Sequence, residues 1–405
     1  MSTYDKRVAI DYNMSVWWQD DHIYGEDDIA RFMDRLAECG VSTVYWRTSM
    51  IGGVTYRSKV QWPSWKVDWE NYFANASRGE RERNVVHRLA QAEKLRHILS
   101  RYDPPEVAVR EARRAGLGVY IWLTCFDDYY PGHHGVFARD GVCLAEDKTG
   151  RKKMRGVLSY AWPEARRRRM AEIRELIGYG ADGIYICTKS HTQHTEPERG
   201  IDTYGYEAPI TAEFEKRHGV NIREARDFDR EAWHTLKGEF FTEFLREVRR
   251  ETNAAGQRLS LGAMMGRYHY FRAPTLGKNH VLRFENQWRT WAQDGLVDEL
   301  VVGNGQRLWK KDPLWEWPEV PWDADTEQAG LLVDEVYPPA ERQAMKIYLW
   351  SGWVPSVTTP EAREAIEHKL QSMRKACETT SADGMLIHEA DAFEAADQYE
   401  MLERA

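Results

Sequence analysis

Ala181-Asp182-Gly183-Ile184-Tyr185-Ile186 and Ala382-Asp383-Gly384-Met385-Leu386-Ile387 are near copies of one another, and each follows a long helical pattern. A short, β-branched apolar run bounded by Asp-Gly and preceded by a helix reads as a buried parallel strand. Six further runs of this kind lie along the chain. In order, the eight are Arg7 to Asn13, Thr43 to Ser49, Gly118 to Phe126, Gly183 to Thr188, Arg258 to Met264, Glu299 to Gly303, Lys346 to Ser351 and Gly384 to Glu389. Amphipathic helices run between them. In Glu26 to Cys39, Ile29, Phe32, Met33 and Leu36 fall at helical spacing before Gly40, and Pro360 opens a helix striped with Ile366, Leu370, Met373 and Cys377. Eight consecutive βα units predict an α/β fold of the (β/α)8 TIM-barrel class, with the two copies as strands 4 and 8, half a barrel apart.

Within the strands, Val44, Val119, Ile121, Leu123, Ile184, Ile186, Ile347 and Leu349 alternate with Tyr45, Arg47, Tyr120, Trp122, Thr124, Tyr185, Cys187, Tyr348 and Trp350. A period of two puts the first set against the helices and the second inside the barrel. By that parity Asp11, Arg47 and His388 also point inward. Asp182 and Asp383 stand at the opposite, N-terminal ends of their strands, where a structural role is expected.

Long excursions follow strands 2, 3 and 4, at residues 50 to 103, 127 to 160 and 189 to 235. They lie on the side where this fold builds its sites. The stretch Arg78 to Arg101 reads as a solvated helix, and Arg166 to Arg169 as the solvated face of another. No linker or low-complexity segment interrupts the chain, so residues 1–405 are expected to form a single barrel domain.

With 42% hydrophobic and 30% charged residues and no apolar run near the ~20 residues a membrane helix requires, neither disorder nor a membrane span is indicated. The net charge of −8 gives no global pull toward nucleic acid or anionic lipid. Five scattered cysteines without a CxxC spacing point away from a disulfide framework. The start, MSTYDKRVAIDYN, lacks a secretion pattern, and a cytoplasmic location is expected. Homo-oligomer formation is left open.

The 17 tryptophans exceed what a core needs, because each indole N–H asks for a partner. Many fall in loops: Trp17, Trp18, Trp62, Trp65, Trp69, Trp309, Trp315, Trp317 and Trp322. Flat apolar faces in loops suit sugar rings, while packing of the loops onto the barrel is the alternative. GxxxxGK[ST], an early GxGxxG, HExxH and GxSxG are all absent, so no nucleotide cofactor, zinc-peptidase or serine-hydrolase reading has a motif. No cofactor is expected.

What remains is a set of acids and histidines at strand C-termini: Asp11; Asp127 and Asp128; Lys189 and His191, followed by His194; Tyr268; and His388, Glu389 and Asp391. Glycosidic hydrolysis takes two carboxyl groups, one to protonate the leaving oxygen and one to attack or to activate water. The expected catalytic candidates are therefore Asp127, Asp128, Glu389 and Asp391. Asp11, Arg47, Trp17, Trp122, Lys189, His191, Tyr268 and Trp350 are expected to bind the carbohydrate. No metal ligand is assigned, although His191 and His194 with a strand-end carboxylate offer an alternative metal-assisted isomerase or lyase. A non-catalytic carbohydrate-binding barrel is the third reading.

Glu38-Cys39-Gly40-Val41-Ser42-Thr43-Val44-Tyr45-Trp46, Tyr56-Arg57-Ser58, Tyr102-Asp103-Pro104, Gly118-Val119-Tyr120-Ile121-Trp122 and Gly180-Ala181-Asp182-Gly183-Ile184 together resemble the glycosyl-hydrolase-like family 10 proteins of bacteria. The resemblance spans roughly residues 7 to 190. It implies a (β/α)8 barrel acting on carbohydrate. Such proteins usually carry acids just after the DGI strand, where this chain has Cys187, Thr188, Lys189, Ser190 and His191, so the resemblance assigns no catalytic residue.

Overall fold

A computed structural model describes residues 4–11, 25–50, 52–66, 78–130, 133–137, 141–190, 201–264, 267–272, 280–303, 333–351, 359–388 and 390–405. Eight parallel strands close a barrel: β1 (Asp5–Ile10), β2 (Thr43–Arg47), β3 (Gly118–Thr124), β4 (Gly183–Cys187), β5 (Arg258–Met264), β6 (Glu299–Val302), β7 (Lys346–Trp350) and β8 (Gly384–Ile387). Each pairs with its sequence neighbours, and β1 closes on β8 through pairs such as Val8 with Ile387. The (β/α)8 expectation holds, and the near-copies are β4 and β8.

Between the strands run α1 (Glu26–Glu38), α2 (Arg78–Arg101), α3 (Pro104–Arg114), α4 (Pro163–Ile177), α5 (Ala208–His218), α6 (Arg230–Ala254), α7 (Trp288–Gln293) and α8 (Pro360–Thr379). Their ends follow local chemistry. Prolines open α3, α4 and α8, where the missing N–H costs nothing, and the Thr359 side chain accepts from the Ala362 N–H to cap α8. Helix α1 begins with Glu26, Asp27 and Asp28, buries Ile29, Phe32, Met33 and Leu36, and is followed by Gly40 at φ 74°, a left-handed turn that favours glycine.

The period of two sorts side chains as expected. Val8, Val44, Val119, Ile121, Ile184, Ile186, Ile347 and Ile387 join the core between strands and helices. Ala9, Tyr45, Tyr120, Trp122, Tyr185, Cys187, Val301, Tyr348, Trp350 and Leu386 form a separate cluster inside the barrel. The large inner rings fit because small residues face them: a Cβ on Gly262 would collide with the Tyr185 hydroxyl and with Val301.

The barrel floor carries a buried ion pair that the sequence reading did not anticipate. Arg7 Nη1 donates to Glu299 Oε2 at 2.6 Å, and the hydroxyls of Tyr45 and Tyr120 reach the same carboxylate at 3.1 and 2.8 Å. At the same end, Asp182, Asp298 and Asp383 each accept the N–H of a residue at the start of the preceding strand: Val119, Leu259 and Ile347 respectively, at 2.8, 2.8 and 2.9 Å. The structural role expected for Asp182 and Asp383 is thus observed.

The arginine run on α4 differs from expectation. Arg166 and Arg169 are buried and only Arg167 is strongly exposed. Helix α4 turns its fourth and seventh positions inward, so Arg166 pairs with Glu243 and Glu247 of α6 while Arg169 pairs with Asp128 and Glu172. Among the described residues, no helix is long and apolar enough to cross a membrane.

Candidate functional site

The strand parity that fills the barrel also sets its mouth. Asp11 directly follows β1 on the face of Arg7 and Ala9, and Arg47 ends β2 on the face of Tyr45. Arg47 Nη1 donates to Asp11 Oδ2 at 2.6 Å, its Nε donates to the Ser49 carbonyl at 3.1 Å, and its Nη2 lies 4.0 Å from Asp127 Oδ2. The guanidinium carbon sits 4.6 Å from the centroid of the Trp122 ring, which packs beneath it. One arginine thus holds carboxylates from the ends of β1 and β3 over an indole. Burial works against its charge, but Asp11 and Asp127 more than offset this and raise its pKa.

Asp391, the first residue of a short helix (Asp391–Ala395), joins the group from β8. Its Oδ1 accepts the backbone N–H of Asp11 at 3.1 Å. Burial, with the neighbouring Asp11 charge added, pushes the Asp391 carboxyl up to about 7, against the pull of Arg47. Among the described residues, the buried Asp11 Oδ1 has no hydrogen-bond partner. His388 packs between two indoles, its ring centroid 5.2 Å from that of Trp122 and 5.1 Å from that of Trp350. Lys189 Nζ lies 5.0 Å from the Trp350 centroid.

The structure therefore brings together Asp11, Arg47, Trp122, Asp127, Lys189, Trp350, His388 and Asp391, all at the C-terminal mouth. Two other candidates lie elsewhere. The Asp128 carboxylate turns away to a fully buried ion pair with Arg169. Two carboxylates, Asp128 and Glu172, share that one guanidinium, and Gln61 donates to Glu172 at 3.3 Å. Burial pushes Asp128 up to about 7. This site belongs to the β3–α4 packing. Tyr268 opens a hairpin, whose arms are Tyr268–Arg272 and His280–Glu285, and its ring rests edge-on against His234 of α6 at 5.3 Å.

Trp17, His191, His194 and Glu389 lie outside the described residues, as do most of the loop tryptophans. Trp62 and Trp65, which are described, are partly buried with Lys66 Nζ over both rings at 5.8 and 5.4 Å. No cluster of three or more metal-ligating side chains occurs among the described residues.

Sequence reasoning missed a second polar group. Behind Phe126, two buried residues, Glu207 at the start of α5 and Lys237 on α6, line an apolar cavity. Nothing marked them in the sequence, since both sit in ordinary amphipathic patterns.

No protein-family model matches the chain, and no curated protein does. Solved structures resemble it at low identity, among them three that act on carbohydrates by name. The catalytic domain of beta-amylase from Paenibacillus polymyxa is 11% identical with a TM-score of 0.45, over 99% of each chain. Alpha-L-fucosidase isoenzyme 2 from Paenibacillus thiaminolyticus is 11% identical with a TM-score of 0.49, over 100% of this chain and 49% of that one. A catalytic module of the pneumococcal exo-beta-D-N-acetylglucosaminidase is 11% identical with a TM-score of 0.47, over 99% and 82%. Likenesses this distant carry no argument about activity, which rests on the site itself.

Proposed function

We propose that the protein is a glycoside hydrolase, with Asp391 as the proton donor and Asp127 as the carboxylate that meets positive charge at the anomeric carbon. The observation that carries this reading is the unequal treatment of acids at one mouth. Asp391 is buried beside another carboxylate and holds its proton near neutral pH, while Asp11 and Asp127 face one arginine. An acid kept protonated beside carboxylates held by a cation is the arrangement that splits a glycosidic bond. The Asp391 proton passes to the leaving oxygen as the C–O bond breaks, and Asp127 either bonds to the anomeric carbon or takes a proton from the attacking water. Arg47 and Asp11 position these groups, and the buried Trp122 and Trp350 rings pack beneath Arg47 and Lys189.

The test is hydrolysis of a panel of aryl glycosides and polysaccharides by wild type, Asp391→Asn and Asp127→Asn, with and without EDTA. Loss of about 10²- to 10⁴-fold in turnover in either variant, with no EDTA effect, supports the assignment. Full activity in Asp391→Asn would remove it. Activity abolished by EDTA would transfer the reading to a metal-assisted isomerase or lyase, and glycan binding without turnover to a carbohydrate-binding barrel.

A further inference from the structure

Helices α5 and α6, the hairpin and the segment Ala145 to Ala161 enclose a cavity of about 390 Å³, including its opening to solvent. Its walls are apolar: Phe126, Tyr160, Phe240, Phe241, Phe271 and Phe284 are its aromatic lining. Ser159, Glu207 and Lys237 interrupt the apolar lining, and the last two are buried with a polar atom that lacks a hydrogen-bond partner among the described residues: Lys237 Nζ and Glu207 Oε2. They do not pair with each other. Glu207 Oε1 is already engaged by the Glu146 N–H at 3.0 Å, and Lys237 Nζ lies 3.5 Å from the Trp233 ring centroid.

The local backbone is built to this arrangement. Gly205, at φ 113°, passes so close that a Cβ there would come within 2.9 Å of Lys237 Cδ and 3.0 Å of Trp233 Cζ2. The Trp233 indole N–H donates to the Gly205 carbonyl at 2.9 Å, and the Gly205 and Tyr206 amides both donate to the Glu146 carbonyl. The Lys237 stem is thereby held against a fixed wall. A buried donor and a buried acceptor left unpaired are each unfavourable, so they mark a place for one group that can both accept and donate.

We propose that this cavity binds a small neutral molecule with a single-ring apolar body and one hydroxyl, a phenol-type ligand. The ring packs among the phenylalanines, and the hydroxyl accepts from Lys237 Nζ while donating to Glu207 Oε2. No bond is made or broken. Phe126, which forms one wall, directly precedes Asp127 in the chain, so the cavity adjoins the mouth without sharing its polar groups.

The test is isothermal titration of the full chain with phenol and with toluene, its near-isostere without the hydroxyl. Phenol is expected to bind at least tenfold more tightly than toluene. Lys237→Met is expected to bring the two affinities within about twofold, and Ala145→Leu, which fills part of the space, to weaken both. Equal affinities in the wild type, or no binding of either, would overturn the proposal and leave the cavity to solvent. That comparison needs no variant to fold. Phenol preference that survives Lys237→Met would overturn it too, by placing the hydroxyl elsewhere.

Discussion

Lys237 should weaken the fold it belongs to. Burial drives its pKa from 10.5 to about 7, with Asp202 and Glu207 opposing and Arg283 and Arg230 adding to the shift. At about 1.4 kcal/mol per pH unit, that gap amounts to about 5 kcal/mol of destabilisation when the lysine is charged in both states. The unfolded chain binds this proton up to pH 10.5 and the folded chain only to about 7, so the penalty is complete below pH 7 and fades as pH rises toward 10.5. Lys237→Met keeps the length of the side chain and a polarisable group over Trp233 while removing the charge. Relaxation and the lost cation–π contact reduce the gain, so the variant should be about 2–4 kcal/mol more stable than wild type at pH 7. Urea unfolding followed at pH 7, 8, 9 and 10 measures it. The advantage should shrink by about 1 kcal/mol for each pH unit over this window. Glu207, pushed up to about 7 by burial, alters stability between pH 4.5 and 7 and leaves the higher window to the lysine. A less stable variant at pH 7, or a gain that does not change with pH, would refute the reasoning.

Three further outcomes follow from the same contacts. If Asp391 is the proton donor, kcat/KM should fall as pH rises through about 7, because its raised pKa marks where the acid form is lost, and a pH–rate profile flat from 6 to 9 would exclude it. Arg169→Met should cost about 3–5 kcal/mol in urea unfolding, since it leaves Asp128 and Glu172 buried without their shared cation; a loss under about 1 kcal/mol would show that water reaches the site. Gly262→Ala should destabilise by about 1–3 kcal/mol or prevent folding, because its Cβ meets the Tyr185 hydroxyl and Val301, and unchanged thermal stability would mean that the inner rings shift freely.

The barrel was legible because its signals are periodic and local. The alternation of Val119, Ile121 and Leu123 with Tyr120, Trp122 and Thr124 states which side of a strand faces the helices, and closure of the barrel leaves the other side one place to go. The same parity carried Asp11, Arg47 and His388 to one mouth. Parity ends where a strand ends, however. Asp127 and Asp128 are neighbours in sequence just past β3, and the structure sends one toward Arg47 and the other toward Arg169. The difference depends on α4, whose Arg169 reads from sequence like its exposed neighbour Arg167. Buried groups such as Arg7 with Glu299, or Lys237 beside Glu207, join residues far apart in the chain, and no spacing announces them.

This distinction bears on how the mouth works. A carboxylate with its own buried cation, such as Asp128, is held by packing outside the barrel and is poorly placed to exchange a proton with a ligand. Asp391 instead has a backbone N–H as its hydrogen-bond donor and a second carboxylate beside it, so its proton is the group's means of lowering the local negative charge. Withdrawing Arg47 would concentrate that charge further. Arg47→Met should therefore move the alkaline limb of the pH–rate profile upward, as Asp391 holds its proton to higher pH, and should do so even where turnover falls. An alkaline limb that stays in place in Arg47→Met would show that Asp391 does not sense the Asp11–Arg47 pair, and the division of roles between the two acids would fail with it.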